Sequence, residues 1–122
     1  MLKNHMASAN CIILDDNEIT SYLITQFLND IGNFSCQVFS FAEQLLQEVK
    51  HVEPDFIFIN VMMKDHAIRK LTCSDEIPTQ KIIFISDLDK KEERRRCYLD
   101  NSQPYISSPL STDLIREGIY KL

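Results

Sequence analysis

Asp15 and Asp16 stand side by side directly after the apolar run Cys11-Ile12-Ile13-Leu14, and polar groups recur in the same setting further along the chain. Asn60 closes Phe56-Ile57-Phe58-Ile59, Ser86-Asp87 closes Ile82-Ile83-Phe84-Ile85, and Ser108 follows Tyr105-Ile106-Ser107. As chemistry, this is a set of oxygen donors. Asp15, Asp16 and Asp87 supply carboxylates and Asn60 a carbonyl oxygen, a combination that suits a hard cation such as Mg²⁺ or Ca²⁺. The plainer alternative is that Asp15-Asp16 only cap the helix that follows. Asn60 itself is a poor reagent, because a carboxamide oxygen carries no full negative charge with which to attack. Gly32 and Gly118 are the only two glycines, so neither a P-loop nor a dinucleotide fingerprint is available to hold a phosphate. His51 and His66 read as surface residues rather than metal ligands.

Pro54-Asp55-Phe56-Ile57-Phe58-Ile59-Asn60 reads as the central strand. Consecutive aromatic and β-branched residues without alternation fit a strand of a parallel sheet covered on both faces. Residues 11–14 give a first buried strand, 34–39 a second, 81–85 a fourth and 105–107 a short last one. Helical patterns fill the intervals. Ile19, Leu23, Phe27 and Ile31 recur every four residues with Ile24 and Leu28 beside them, capped by Asp16 or Asn17 and ended by Gly32. Ser40-Phe41-Ala42-Glu43 fits a capping box for a helix with Phe41, Leu45, Val49 and Val52 on one face. A short third helix is expected to end near Leu71, and a fourth, nearly all charge, runs through Arg94-Arg95-Arg96. Leu114, Ile115, Gly118, Ile119 and Leu122 line a closing helix. Strands alternating with helices through short links demand a parallel α/β sheet with right-handed crossovers. In such sheets ligands gather at the carboxyl ends of the strands, so all the polar sets above fall on one rim.

With 122 residues the chain makes one domain large enough to fold without staples. Thirteen Lys and Arg against eighteen Asp and Glu leave a net charge of -5, which argues against a nucleic-acid partner and for a protein that meets other proteins. Cys11, Cys36, Cys73 and Cys97 lie far apart with no zinc spacing, which points to reduced thiols in a cytoplasmic protein. No apolar stretch is long enough to span a membrane. Residues 1–8 (MLKNHMAS) show no pattern and are set aside as a leader, leaving 9–122 as the domain.

Taken in order, several signals resemble a response-regulator receiver domain from about Ala9 to Leu122. They are the acidic pair Asp15-Asp16, Pro54-Asp55 opening the third strand, Met62-Met63 after its end, Ser86 after the fourth strand, and Tyr-x-x-x-Pro over Tyr105 to Pro109. The resemblance implies a doubly wound, flavodoxin-like five-stranded sheet of order 2-1-3-4-5 with five helices, and a role in two-component phosphorelay signalling. It implies as partners a histidine kinase, an output domain or a second copy, and no enzyme activity of the domain's own. In that family an Asp at the end of strand three takes a phosphoryl group beside a Mg²⁺ held by the acidic pair. A hydroxyl after strand four and an aromatic in strand five then act as the switch. By position, Asp15 and Asp16 match the acidic pair, Ser86 the hydroxyl and Tyr105 the aromatic.

The reactive positions depart from the pattern. Asn60 stands where the phosphorylated Asp belongs, and Ser108 replaces the Lys before Pro109. At about 4 Å and an effective dielectric near 20, that ammonium would interact with a phosphoryl oxyanion by roughly 4 kcal/mol. Asp87 adds a repelling carboxylate where the family keeps a small residue. The expectation is a pseudo-receiver that works by protein-protein contact, with Arg94, Arg95 and Arg96 on the docking face. No cofactor is required on this reading, although Mg²⁺ could be held by Asp15, Asp16 and Asn60. The alternatives are a phosphoacceptor using another carboxylate, Asp16 or Asp87, or a Mg²⁺- or Ca²⁺-binding module.

Overall fold

A computed structural model describes residues 9–61, 63, 71, 76–86, 104–107 and 109–121. Within these, the elements in chain order are β1 (Ala9–Leu14), α1 (Glu18–Ile31), β2 (Phe34–Phe39), α2 (Ala42–Val52), β3 (Phe56–Asn60), a 3-10 turn (Thr79–Lys81), β4 (Ile82–Ser86), β5 (Tyr105–Ser107) and α3 (Thr112–Tyr120). The strands form one sheet of order β2-β1-β3-β4-β5, and every pair is parallel. The expected third and fourth helices, Asp87, Arg94, Arg95, Arg96, Ser108 and residues 1–8 lie outside the described residues.

Alternation along each strand divides the core into two layers. Ile12, Leu14, Ile57, Ile59, Ile82 and Phe84 turn to the face covered by Ala42, Leu45 and Val49 of α2. Ile13, Phe58, Ile83, Ile85 and Ile106 turn to the other, covered by Ile24 and Leu28 of α1 and Ile115 and Ile119 of α3. Phe56, Ile57, Phe58 and Ile59 are all buried. At roughly 1.5–3 kcal/mol per fully buried side chain of this size, β3 anchors both layers. Gly118 lets α3 approach the sheet closely: a Cβ there would stand 2.7 Å from Ile106 Cδ1 and 3.2 Å from Ile83 Cγ2.

The expected stripe on α1 is only partly right. Ile24, Leu28 and Ile31 are buried, but Ile19 is 73% exposed and Leu23 39%, while Ser21 is buried instead. A repeat of four residues drifts around a helix that turns every 3.6, so its first members leave the buried face. Ser21 enters the core because its hydroxyl donates to the Asn17 carbonyl at 3.0 Å. Phe41 is likewise not on the buried face of α2. It is the residue before the helix, with extended backbone, and is 55% exposed.

Candidate functional site

β1 ends where its next residue is bound by its neighbour: the Asp15 N–H donates to the Phe39 carbonyl of β2 at 3.0 Å. That contact extends the β1 ladder by one residue and leaves Asp15 buried, with its side chain among the strand ends. Asp16 is exposed. The two acids are therefore unequal, as the alternation of an extended chain requires. The cap of α1 is Asn17, whose Oδ1 accepts from the Ile19 and Thr20 N–H groups at 3.0 and 3.1 Å. Of the two cap candidates, Asp16 and Asn17, the structure selects Asn17, and the acidic pair is not the cap.

Asp15 Oδ1 accepts two hydrogen bonds, from the Asn17 N–H at 2.9 Å and from Asn60 Nδ2 at 3.0 Å. The second bond is the central feature of the rim. It joins the ends of β1 and β3, and it presents the nitrogen end of the amide to the carboxylate. A carboxylate at position 60 could not donate it. Next to Asn60, the Val61 N–H donates to the Ile85 carbonyl of β4 at 2.9 Å, and the Met63 N–H reaches the Asn60 carbonyl at 3.4 Å. These backbone contacts fix the turn that leaves β3.

Ser86 ends β4 and is buried, one residue beyond Ile85, the register partner of Asn60. It pairs in register with Ser107 of β5. Tyr105 is half-buried and stacks on Phe84 with ring centroids 5.3 Å apart and planes at 29°. The structure thus brings Asp15, Asn60 and Ser86 to adjoining strand ends, while Tyr105 opens β5 level with Phe84, two residues short of Ser86. Asp87 and Ser108, named with them from the sequence, lie outside the described residues.

The fit of a divalent cation can be tested on the donors. Mg²⁺ takes oxygen ligands in near-octahedral geometry. Here Asn60 offers nitrogen toward Asp15, and Asp15 Oδ1 already accepts two N–H groups. Among the described residues, no group of three or more His, Cys, Asp or Glu is placed to hold a metal ion. The described side chains fall short of a Mg²⁺ cage: Asp15 Oδ1 is committed to two N–H groups and Asp16 is exposed, so the buried Asp15 Oδ2 is the oxygen left to meet a cation.

One feature of this end escaped sequence reasoning. Ile19 and Tyr22 of α1 and Val38 of β2 are exposed. Tyr22 and Val38 line a cleft of about 300 Å³ with Asp15, Glu18 and Ser40. The signal was available in β2, where Val38 is an apolar residue on an edge strand.

The family model of the response regulator receiver domain matches residues 11–120. The chemotaxis response regulator CheY4 of Vibrio cholerae is similar in fold, with a TM-score of 0.76 and 12% identity, over 93% of this chain and 98% of that one. The receiver domain of the sensor histidine kinase PA1611 from Pseudomonas aeruginosa PAO1, solved with a magnesium ion in its active-site cleft, gives 0.77 and 15%, over 94% and 97%. The receiver domain of a modulated diguanylate cyclase from Desulfovibrio desulfuricans G20 gives 0.73 and 20%, over 92% and 90%. A search of curated proteins returned no match.

Proposed function

The chain belongs to the response regulator receiver domain family of two-component signalling, and from that premise we propose that it is a pseudo-receiver, unphosphorylated at position 60 and acting by protein-protein contact. The observation that carries this reading is the hydrogen bond from Asn60 Nδ2 to Asp15 Oδ1 at 3.0 Å. In a working receiver, the attacking group and its acidic neighbours carry like charge and need a cation between them. Here an N–H donor supplies the positive end directly to Asp15 Oδ1, without calling on a metal or a phosphoryl group. The carboxamide offers no anionic oxygen to take a phosphoryl group. Asp15, the buried acid beside it, is held by two donors and is not free to substitute. Ser108 in place of the family's Lys is consistent with the same loss, since without a phosphoryl oxyanion there is no charge for that ammonium to offset.

Receiver domains work as signalling modules that meet kinases and output domains. Without phosphoryl transfer, this one acts through its surface. Ile19, Tyr22 and Val38 give the rim exposed apolar area that a protein partner can bury. The test is intact mass after incubation with a small acyl-phosphate donor and Mg²⁺. The expected result is an unchanged mass. A gain of one phosphoryl group, mapped to Asp16 or Asp87, would overturn the proposal in favour of a working acceptor.

A further inference from the structure

Cys11 and Cys36 are twenty-five positions apart in sequence, yet the parallel register of β1 and β2 sets them directly opposite each other. Register partners in a parallel pair point to the same face, and both side chains belong to the layer under α1. Adjacent strands lie about 4.8 Å apart, inside the Cα range that a disulfide bridges. Both are free thiols, Cys11 buried and Cys36 half-buried. The Cys11 Sγ–H donates to the Ile12 carbonyl at 3.8 Å. Burial, with Cys36 beside it, pushes the Cys11 thiol well above its ordinary range, while the nearness of Cys11 lowers the Cys36 thiol. The pair is thus polarised. Cys36 is the reachable, thiolate-forming member on an edge strand, and Cys11 is the protonated member behind it.

We infer that Cys11 and Cys36 form a reversible dithiol-disulfide site, oxidised by hydrogen peroxide with Cys36 as the first sulfur to react. In the first step the Cys36 thiolate attacks one peroxide oxygen. The O–O bond breaks, hydroxide leaves and takes a proton from solvent, and Cys36 becomes a sulfenic acid. In the second step the Cys11 sulfur attacks the Cys36 sulfur and gives up its proton. The S–S bond forms, the S–O bond breaks, and a second water leaves. Two thiols lose two electrons and two protons, and one peroxide is reduced to two waters. Directly opposed strand residues hold their Cβ atoms somewhat farther apart than a relaxed disulfide prefers, so the bond is strained and readily reduced. Among the described residues β2 pairs with a strand on one side only, so fewer contacts resist the small shift that would close the remaining distance.

The experiment uses the full chain, with Cys73→Ser and Cys97→Ser introduced together to leave only the opposed pair. It is treated with peroxide in stoichiometric steps, quenched with a maleimide under denaturing conditions, and followed by intact mass and peptide mapping. The expected result is loss of two hydrogens, loss of both maleimide additions, one linked peptide joining Cys11 to Cys36, and full reversal by dithiothreitol. Cys36→Ser should abolish the link, and Cys11→Ala should leave a sulfenic acid on Cys36 that a diketone probe captures. The inference is overturned if both cysteines remain alkylated after peroxide. It is equally overturned if Cys36 advances to sulfinic acid while Cys11 stays free, or if only links between separate chains appear. Cys36 is half-exposed, so Cys36→Ser and Cys36→Ala should both fold, and far-UV circular dichroism checks that they do.

Discussion

Asp55 and Asp15 hold opposite ends of the same sheet, and they do so with different kinds of partner. At the amino-terminal end, the Asn10 N–H donates to Asp55 Oδ2 at 2.7 Å, and the Asp55 N–H returns a bond to the Asn10 carbonyl at 2.8 Å. Nearby, Lys81 Nζ donates to the Pro54 carbonyl at 2.9 Å. The groups facing Asp55 and Lys81 are backbone, so this end holds together whatever side chains its neighbours carry. At the carboxyl end, Asp15 depends on the side chain of Asn60 as well as on a backbone N–H. The first end is a staple. The second is a site whose character turns on one residue, Asn60.

Three substitutions sharpen or break that contrast. The largest effect is expected from Asn60→Asp, which removes the donor and sets a second carboxylate against Asp15. At neutral pH it should lower stability by about 2–4 kcal/mol in urea denaturation. Millimolar Mg²⁺ should restore much of the loss in the variant and leave the original chain unchanged. A variant as stable as the parent without the cation would show that the amide bond does not govern the rim. Asp55→Ala comes next, at about 1–3 kcal/mol, with the loss indifferent to Mg²⁺. If Mg²⁺ altered it, the two ends would not be independent. The smallest change is expected from Asn17→Ala, about 1 kcal/mol for the lost cap. It keeps the backbone N–H that Asp15 accepts, so the amide resonances of Asp15 and Asn60 should stay in place while the first turn of α1 frays.

Much of this was legible in the residues. The unbroken apolar run of β3 announced a strand covered on both sides, and all four of its apolar members are buried. The acidic pair, Asn60 and Ser86 were placed on one rim because strand ends in a parallel sheet share a side. What failed were matters of phase. Ile19 and Leu23 matched a repeat of four, yet the helix turned them outward, and Ser21 took a core position because it could bond to its own backbone. Phe41 looked like the first residue of an apolar face and proved to precede the helix. The order of the strands followed from the resemblance, but the register of one against the next was not legible. Nothing in the spacing of Cys11 and Cys36 reveals that they face each other, because register is set by the whole of β1 and β2. The direction of the Asn60 amide was equally hidden, since it follows from where Asp15 puts its lone pairs.

The close seat of α3 on the sheet bears on how a signal could cross the molecule. Ile106 is wedged against the helix where Gly118 leaves room, and its neighbour Tyr105 points to the opposite face, stacked on Phe84. β5 is three residues long, so these two side chains sit on one short strand with core on both of its faces. Any displacement of α3 against Ile106 therefore bears, through one short strand, on how Tyr105 packs against Phe84 on the opposite face.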